Sequence, residues 1–154
     1  MRRNLFINLI LSFGLVALVA GVGTIFVNNG MSWMMALTKP SEWVPNILIP
    51  IVWTVIYISA AVIIYLWISR EDILVGTIVL FIINGVLNVL WCLVFFQLQM
   101  KLLGMVVIIL NLIAAILLWV NIFREKKVYA YILSIYPIWL CIATTLNLAL
   151  WILN

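Results

Sequence analysis

Tryptophan, tyrosine and asparagine recur at helical spacing in three apolar segments, and these uncharged side chains are the ones that could recognise a ligand. In the first segment Trp53 and Tyr57 lie four residues apart and would share one face of a helix. The other two segments carry such residues at steps of three or four: Asn84, Asn88, Trp91 and Phe95, then Tyr136, Trp139, Ala143 and Asn147. Asparagine facing an apolar medium would lack hydrogen-bond partners, so the three faces should point towards one another. Together they could line a flat, mostly apolar cavity for a large planar ligand.

A structural role for the same residue types is the alternative. Asparagine within apolar helices often only joins neighbouring helices, and tryptophan near helix ends often anchors a chain at a membrane surface. We expect anchoring for the tryptophans near segment ends or in a loop: Trp33, Trp43, Trp67, Trp119 and Trp151. Tyr129 and Tyr131, close to two lysines, should belong to the same interfacial belt.

No Asp, Glu, Lys, Arg or His lies within any of the apolar segments. Ion-coupled transporters normally keep ionisable groups there, and hydrolases need a base beside the nucleophile, so the sequence argues against both classes. Cys92 and Cys141 lie in separate apolar runs, which indicates neither a disulfide framework nor a metal site. The formal net charge of +4 is small and scattered, which argues against nucleic acid as a partner. We therefore expect no metal and no required cofactor.

Apolar segments of membrane-spanning length must position these residues. Of the 154 residues, 69% are hydrophobic and 8% are charged, whereas a soluble domain carries about 25% charged residues. A helix needs roughly 20 apolar residues to cross a bilayer. Five stretches meet this requirement: Leu5–Val27, Ile47–Trp67, Ile73–Leu98, Leu102–Phe123 and Val128–Leu153. The sequence predicts an all-α integral membrane protein, with residues 1–154 forming one domain of five transmembrane helices.

Lysine and arginine set the expected orientation. Six of them fall on one side of the predicted spans: Arg2, Arg3, Arg70, Arg124, Lys126 and Lys127. Lys39 and Lys101 fall on the other side. Because cytoplasmic loops carry the excess of positive residues, the N-terminus should be cytoplasmic and Asn154 outside. The one long connection, residues 28–46 between the first two helices, then lies on the outer side and is a candidate lid.

Many of these residues form a pattern that resembles the TspO/MBR family, also described as the tryptophan-rich sensory protein, translocator protein or peripheral benzodiazepine receptor family. The matching positions are Trp33-x3-Leu37-x-Lys39-Pro40, Pro45, Pro50-x2-Trp53-Thr54-x2-Tyr57, Asn88-x2-Trp91-x3-Phe95-Phe96 and Tyr136-x2-Trp139-x3-Ala143-x3-Asn147. The loop departs from the family's Lys-Pro-x-Trp-x-Pro-Pro, because Trp43 is displaced by one position and Val44 replaces the first proline of the pair. This departure bears on the conformation of the lid and on ligand preference.

The resemblance implies a five-helix bundle, often a homodimer, in a bacterial cell membrane. The first loop would cover a pocket that binds porphyrins such as protoporphyrin IX, and drugs of benzodiazepine and isoquinoline type. Animal members bind cholesterol, so a sterol is a further expected partner besides membrane lipid. The expected ligand-binding residues are Trp33, Pro45, Trp53, Tyr57, Asn84, Asn88, Trp91, Phe95, Tyr136, Trp139, Ala143 and Asn147.

Three functional hypotheses result. The first is a membrane receptor for porphyrins, acting in transport or stress sensing, with metal-free porphyrin favoured over haem because no histidine can ligate iron. The second is light-dependent oxidative degradation of bound protoporphyrin IX, in which the resemblance gives Trp53 and Trp139 the catalytic role. The third is a regulatory or scaffold protein with a vestigial pocket, because a fold alone does not determine function.

Overall fold

The computed structural model of the chain describes residues 4–41, 43–69 and 75–154. These residues form α1 (Leu5–Ala36), α2 (Leu48–Ile68), α3 (Val75–Cys92), a π-helical turn (Leu93–Gln97), α4 (Lys101–Glu125), α5 (Lys127–Leu133) and α6 (Ile135–Leu153). Five stretches are long and apolar enough to cross a bilayer, since α5 and α6 together form one span. The predicted all-α, five-span membrane protein is therefore confirmed. Arg2, Arg3, Arg70 and the start of the predicted third span at Ile73 lie outside the described residues.

The ends of the helices gather at two opposite faces of the bundle. At one face the backbone amide of Thr38 donates to Asn154 Oδ1 at 2.9 Å, and Lys101 Nζ donates to the backbone oxygen of Asn154 at 2.8 Å. At the other face Asn8 Nδ2, near the start of α1, donates to Ser69 Oγ at 3.2 Å. Each of the described lysines and the described arginine lies at one of these two faces, as expected for residues that flank membrane-spanning helices. The orientation in the membrane stays a prediction.

The first helix is longer than predicted. The sequence predicts that it ends at Val27, whereas α1 continues to Ala36 and the connection to α2 shrinks from residues 28–46 to residues 37–47. At 1.5 Å per residue, its 32 residues extend about 48 Å, well beyond a hydrocarbon core of about 30 Å. The assignment of Trp33 to a loop is therefore wrong, because this side chain lies on α1.

Contacts with the π-helical turn explain why α1 continues through a polar segment that looks like a turn. Asn29 Nδ2 donates to Gln97 Oε1 at 2.8 Å. Gly30 packs directly against the backbone of Phe96, where no side chain would fit. Glycine disfavours helix in isolation, but here its small size permits the close approach of the two helices.

The π-helical turn directs two consecutive aromatic side chains into the bundle. Neighbours on an α-helix point about 100° apart, yet Phe95 and Phe96 are both buried after α3 widens into this turn. The backbone of Phe96 lies against Gly30 on α1, and the ring and backbone of Phe95 lie against Gly104 on α4. These two glycines thus fix where α1 and α4 pack on the third span.

The last span is interrupted at Ser134, between α5 and α6. Pro137 has no amide hydrogen to donate to the carbonyl of Leu133, so the regular helical bonding is broken at this turn. Ser134 Oγ donates to the carbonyl of Ala130 at 2.8 Å, and Trp119 Nε1 donates to the same hydroxyl at 2.9 Å. These bonds join α4 to the interrupted span.

The tryptophans and tyrosines that were predicted as interfacial anchors differ in their exposure. Trp151 and Tyr131 are 42% and 65% exposed, as an interfacial belt requires. Trp67 is instead 2% exposed and meets the edge of Tyr129 with ring centroids 6.0 Å apart. Its anchoring role was wrongly predicted because α5 packs over the end of α2 and covers the ring.

We predict that Gly30→Ala destabilises the protein by about 1–3 kcal/mol, because the added methyl group would overlap the backbone of Phe96. Thermal unfolding in detergent micelles measures the change. Gly14→Ala is the control, since nothing lies within 4 Å of a Cβ at that position. This control should be neutral or stabilising by up to about 1 kcal/mol. Equal stability of the two variants would contradict the packing role of Gly30.

Candidate ligand-binding site

A cavity of about 490 Å³ lies beside residues 37–47, and we refer to it as the loop-side cavity. Cavities of 300–1,000 Å³ are typical of sites for small molecules and cofactors. Its wall is formed by α1, α2, α3 with the π-helical turn, α6 and the loop. It contains most of the predicted binding residues: Trp53, Tyr57, Asn88, Trp91, Phe95, Trp139, Ala143 and Asn147. The three faces predicted from helical spacing therefore meet around one volume.

An aromatic stack forms one wall of the loop-side cavity. The ring of Trp53 stacks on Tyr57 of the same helix, with centroids 5.6 Å apart, and on Trp91 of α3 at 6.3 Å. Trp91 in turn stacks on Phe95 at 5.9 Å with the two planes only 17° apart. Offset aromatic pairs of this kind stabilise one another beyond their buried area. The stack presents extended π surface in a fixed orientation.

Hydrogen bonds between helices hold the polar members of this wall. The Tyr57 hydroxyl donates to Asn88 Oδ1 at 3.3 Å, joining α2 to α3. Trp91 Nε1 donates to Asn147 Oδ1 at 3.2 Å, joining α3 to α6, and Asn147 Nδ2 donates to the carbonyl of Ala143 at 2.9 Å. The two proposed roles of asparagine, joining helices and lining a cavity, are thus combined in Asn88 and Asn147.

Trp139 differs from the other polar residues of the wall because its indole N–H has no partner among the described residues. The residue is 5% exposed, and its Nε1 is buried without a hydrogen bond. Leaving such a donor unpaired costs about 1–3 kcal/mol. The wall of the loop-side cavity therefore includes a residue whose hydrogen-bond donor is left without an acceptor by the described residues.

The loop between α1 and α2 contributes two residues to the wall of the cavity at this face of the bundle. Trp43 and Asn46 both line the cavity, and Trp43 Nε1 donates to Asn46 Oδ1 at 3.3 Å. Lys39 Nζ donates to three carbonyls at the end of α1, at 3.1–3.3 Å. Asn154 Nδ2 also donates to the carbonyl of Thr38 at 3.0 Å. Hydrogen bonds to the end of α1 and to Asn154 thus restrain the start of this loop.

Four of the predicted binding residues lie elsewhere. Trp33 and Phe95 form a T-shaped pair with ring centroids 5.6 Å apart, and Trp33 does not line the cavity. Pro45 is exposed in the loop. Asn84 and Tyr136 line a different cavity, one that lies farther from the loop.

The structure adds lining residues that the spacing of aromatic and polar residues did not reveal. They include Met31, Met34 and Met35 on the unexpected extension of α1, together with Trp43, Asn46, Pro50, Cys92 and Phe96. Of these, Phe96, Trp43 and Pro50 could have been found from the sequence, since they belong to the Phe-Phe pair, the loop motif and the Pro-x2-Trp-Thr segment of the family pattern. The methionines could not, because their segment was predicted as loop.

Comparison with known proteins shows the family of the chain. A model of the TspO/MBR family matches residues 11–152. The chain belongs to the TspO/MBR family. It is 34% identical to the Tryptophan-rich protein TspO of Chlorobaculum tepidum, with 96% of both chains covered, and 31% identical to that of Archaeoglobus fulgidus, with 96% and 97% covered. It is also 30% identical to Protein CrtK of Rhodobacter capsulatus, over 90% of this chain and 87% of the relative.

Membership of the TspO/MBR family confirms the resemblance inferred from the tryptophan and asparagine pattern, and with the five apolar helices it supports a multi-pass membrane protein. The family's loop motif is altered here, yet the displaced Trp43 still lines the loop-side cavity. The departure in the loop therefore falls on the wall of the cavity.

We predict that Asn147→Leu destabilises the protein by about 1–3 kcal/mol, because it leaves Trp91 Nε1 buried without an acceptor. A double-mutant cycle with Trp91→Phe, followed by thermal unfolding in micelles, isolates the pair. In the Trp91→Phe background, Asn147→Leu should cost much less stability than in the unaltered protein, because the unpaired donor is gone. Additive losses would show that the bond contributes nothing. Thr145→Val, at an exposed position of the same helix, is the control.

Proposed function

We propose that the protein is a membrane receptor for porphyrins of the protoporphyrin IX type, acting in tetrapyrrole transport or stress sensing. Membership of the TspO/MBR family supports a membrane sensory or tetrapyrrole-related role. The observation that carries the specific proposal is the loop-side cavity, whose wall contains both an aromatic stack and Trp139, a residue with an unpaired indole N–H.

The shape and chemistry of the cavity suit a flat aromatic molecule. Trp53 and Trp91 stand nearly parallel, 24° apart, and offer π surface against which a planar ring system can stack. The methionines at the end of α1 can adapt to the ligand, because their unbranched thioether side chains fill irregular gaps. A porphyrin combines a broad aromatic plate with a few peripheral polar groups, which is the combination that this wall can recognise.

The polar groups of the cavity favour a ligand that accepts hydrogen bonds. The Tyr57 and Trp91 donors are already satisfied by Asn88 and Asn147, whereas Trp139 Nε1 is not. A carboxylate or ring nitrogen of the porphyrin would supply the missing acceptor. The chain contains no histidine, the usual axial ligand of haem iron, so we propose the metal-free porphyrin as the ligand.

The variant Trp139→Phe tests this proposal, because it keeps an aromatic ring and removes only the N–H group. We predict that its affinity for protoporphyrin IX falls about tenfold, the worth of one hydrogen bond of about 1.4 kcal/mol. The shift of the porphyrin's visible absorption band during titration in micelles gives the dissociation constant.

Trp119→Phe is the matched control, since Trp119 bonds to Ala130 and Ser134 away from the loop-side cavity. Its affinity for protoporphyrin IX should equal that of the unaltered protein. An equal dissociation constant for Trp139→Phe would contradict the role of the indole N–H. Unchanged binding in both Trp139→Phe and Trp53→Phe would remove the loop-side cavity as the porphyrin site.

A second candidate function is light-dependent oxidation of the bound porphyrin by molecular oxygen, with the porphyrin absorbing the light. The observation that favours it is the presence of Trp53 and Trp139, two readily oxidised side chains, on the wall of one cavity. The protein would position the porphyrin and exclude competing reactions.

Illumination of the porphyrin complex in air tests this second function. Decay of the porphyrin absorption several-fold faster than for free porphyrin in the same detergent, and slower in Trp53→Phe and Trp139→Phe at saturating porphyrin, would support it. Decay at the rate of free porphyrin would leave binding as the only function proposed.

A further inference from the structure

The side-chain amide of Asn154, at the end of the last span, forms a reciprocal pair of hydrogen bonds with the backbone of Thr38, in the loop between α1 and α2. The backbone amide of Thr38 donates to Asn154 Oδ1 at 2.9 Å, and Asn154 Nδ2 donates to the carbonyl of Thr38 at 3.0 Å. The two residues are 116 positions apart in the chain. The pair therefore joins the start of the loop to a helix that is not its neighbour in sequence.

Two further hydrogen bonds fix the position of Asn154. Its Nδ2 also donates to the carbonyl of Leu150, on the preceding turn of α6, at 3.0 Å. Lys101 Nζ, at the start of α4, donates to the backbone oxygen of Asn154 at 2.8 Å. Asn154 is therefore held in place by α4 and α6, and it presents a fixed amide to Thr38.

The other hydrogen bonds of the loop reach no farther than α1 and α2 within the described part of the chain. Lys39 Nζ donates to three carbonyls at the end of α1. Trp43 Nε1 donates to Asn46 Oδ1 inside the loop, and Asn46 Nδ2 donates to Sδ of Met35 on α1 at 3.9 Å. Asn154 thus supplies the hydrogen bonds that tie this loop to the rest of the bundle.

Residues of the loop and of α6 lie on the wall of the same cavity. Trp43 and Asn46 line the loop-side cavity from the loop, and Leu150 lines it from α6, one turn before Asn154. The bonds between Thr38 and Asn154 therefore hold two parts of this wall together. Both of these residues are exposed at the end of the bundle, so water can replace their hydrogen bonds when the loop moves away.

We propose that the Asn154–Thr38 pair is a latch that controls the access of water-soluble molecules to the loop-side cavity. While the latch is formed, the loop keeps Trp43 and Asn46 in the cavity wall. When it breaks, the loop separates from α6 in a local opening of the structure, and the rest of the bundle stays folded. Two neutral hydrogen bonds that exchange with water contribute a modest free energy, which suits a contact that must break repeatedly.

Cys92 is a reporter of this opening, because it lines the loop-side cavity and is only 4% exposed. The chain contains two cysteines, so Cys141→Ser leaves Cys92 as the one thiol. The probe is a methanethiosulfonate that carries a trimethylammonium group, whose fixed charge keeps it out of the hydrocarbon of a lipid nanodisc. The mass of the intact protein, followed over time, gives the rate at which Cys92 is labelled.

We expect Asn154→Ala to raise the labelling rate of Cys92 about tenfold, because both bonds to Thr38 are lost and the open state is more populated. Lys101→Met should raise the rate about two- to threefold, since Asn154 is then held by α6 alone. Thr38→Ala is the matched control. Both bonds use the backbone of Thr38, so this variant should be labelled as slowly as the Cys141→Ser protein.

An unchanged labelling rate in Asn154→Ala, or no labelling in either protein, would overturn the proposal. A second reporter distinguishes the latch from a general loosening of the bundle. Ala115 is buried on α4 and lines neither cavity, so Ala115→Cys, with Cys92 and Cys141 replaced by serine, reports on unfolding elsewhere. Asn154→Ala should leave the labelling of this cysteine unchanged. Equal acceleration at both reporter positions would overturn the latch.

The labelling experiment contains no porphyrin, so its result does not depend on the proposed function. For a ligand that enters past the loop, opening precedes both entry and exit. If the proposed function holds, Asn154→Ala should therefore raise the association and dissociation rates of protoporphyrin IX by the same factor and leave the dissociation constant unchanged. A weaker dissociation constant together with unchanged labelling of Cys92 would assign Asn154 to ligand binding itself and overturn the latch.

Discussion

Polar side chains within the membrane must find their hydrogen-bond partners inside the protein, because the hydrocarbon core offers none. This constraint organises the bundle. Asn88, Asn111 and Asn147 accept hydrogen bonds from aromatic residues of other helices, with donor–acceptor distances of 3.0–3.3 Å. These bonds set the rotation of the second, third and last spans, and with it the direction of the neighbouring tryptophans. The aromatic wall of the loop-side cavity is a consequence of satisfying the amides.

The same constraint is unmet at two buried atoms for which the described residues supply no partner. Trp139 Nε1 belongs to a residue on the wall of the loop-side cavity, and Asn84 Oδ1 belongs to a residue on the wall of the second cavity, farther from the loop. The first atom is a donor and the second is an acceptor, so the two cavity walls differ in the hydrogen bond that each leaves unmade.

The length of the apolar stretches was sufficient to predict the five spans, and helical spacing within them predicted the three faces that meet. Helical spacing indicates the face of a helix on which a residue lies but not its position along the helix axis. For this reason Asn84 was predicted to line the same cavity as Asn88. The two share a face, yet four residues separate them by about 6 Å along the helix axis, and only Asn88 reaches the loop-side cavity. The extension of α1 was also missed, because the contact that permits a helical Gly30 is made with Phe96, a distant residue in the chain.

We propose that the interior around Trp53, Trp91 and Trp139 is a ligand site rather than packing between helices. An experimental structure of the protein in lipid with protoporphyrin IX distinguishes the two. We predict porphyrin density in the loop-side cavity, with the macrocycle against the Trp53–Trp91 stack and an acceptor atom about 2.9 Å from Trp139 Nε1. A porphyrin bound only on the outer surface of the bundle, with this cavity unchanged, would show that the loop-side cavity is not the porphyrin site.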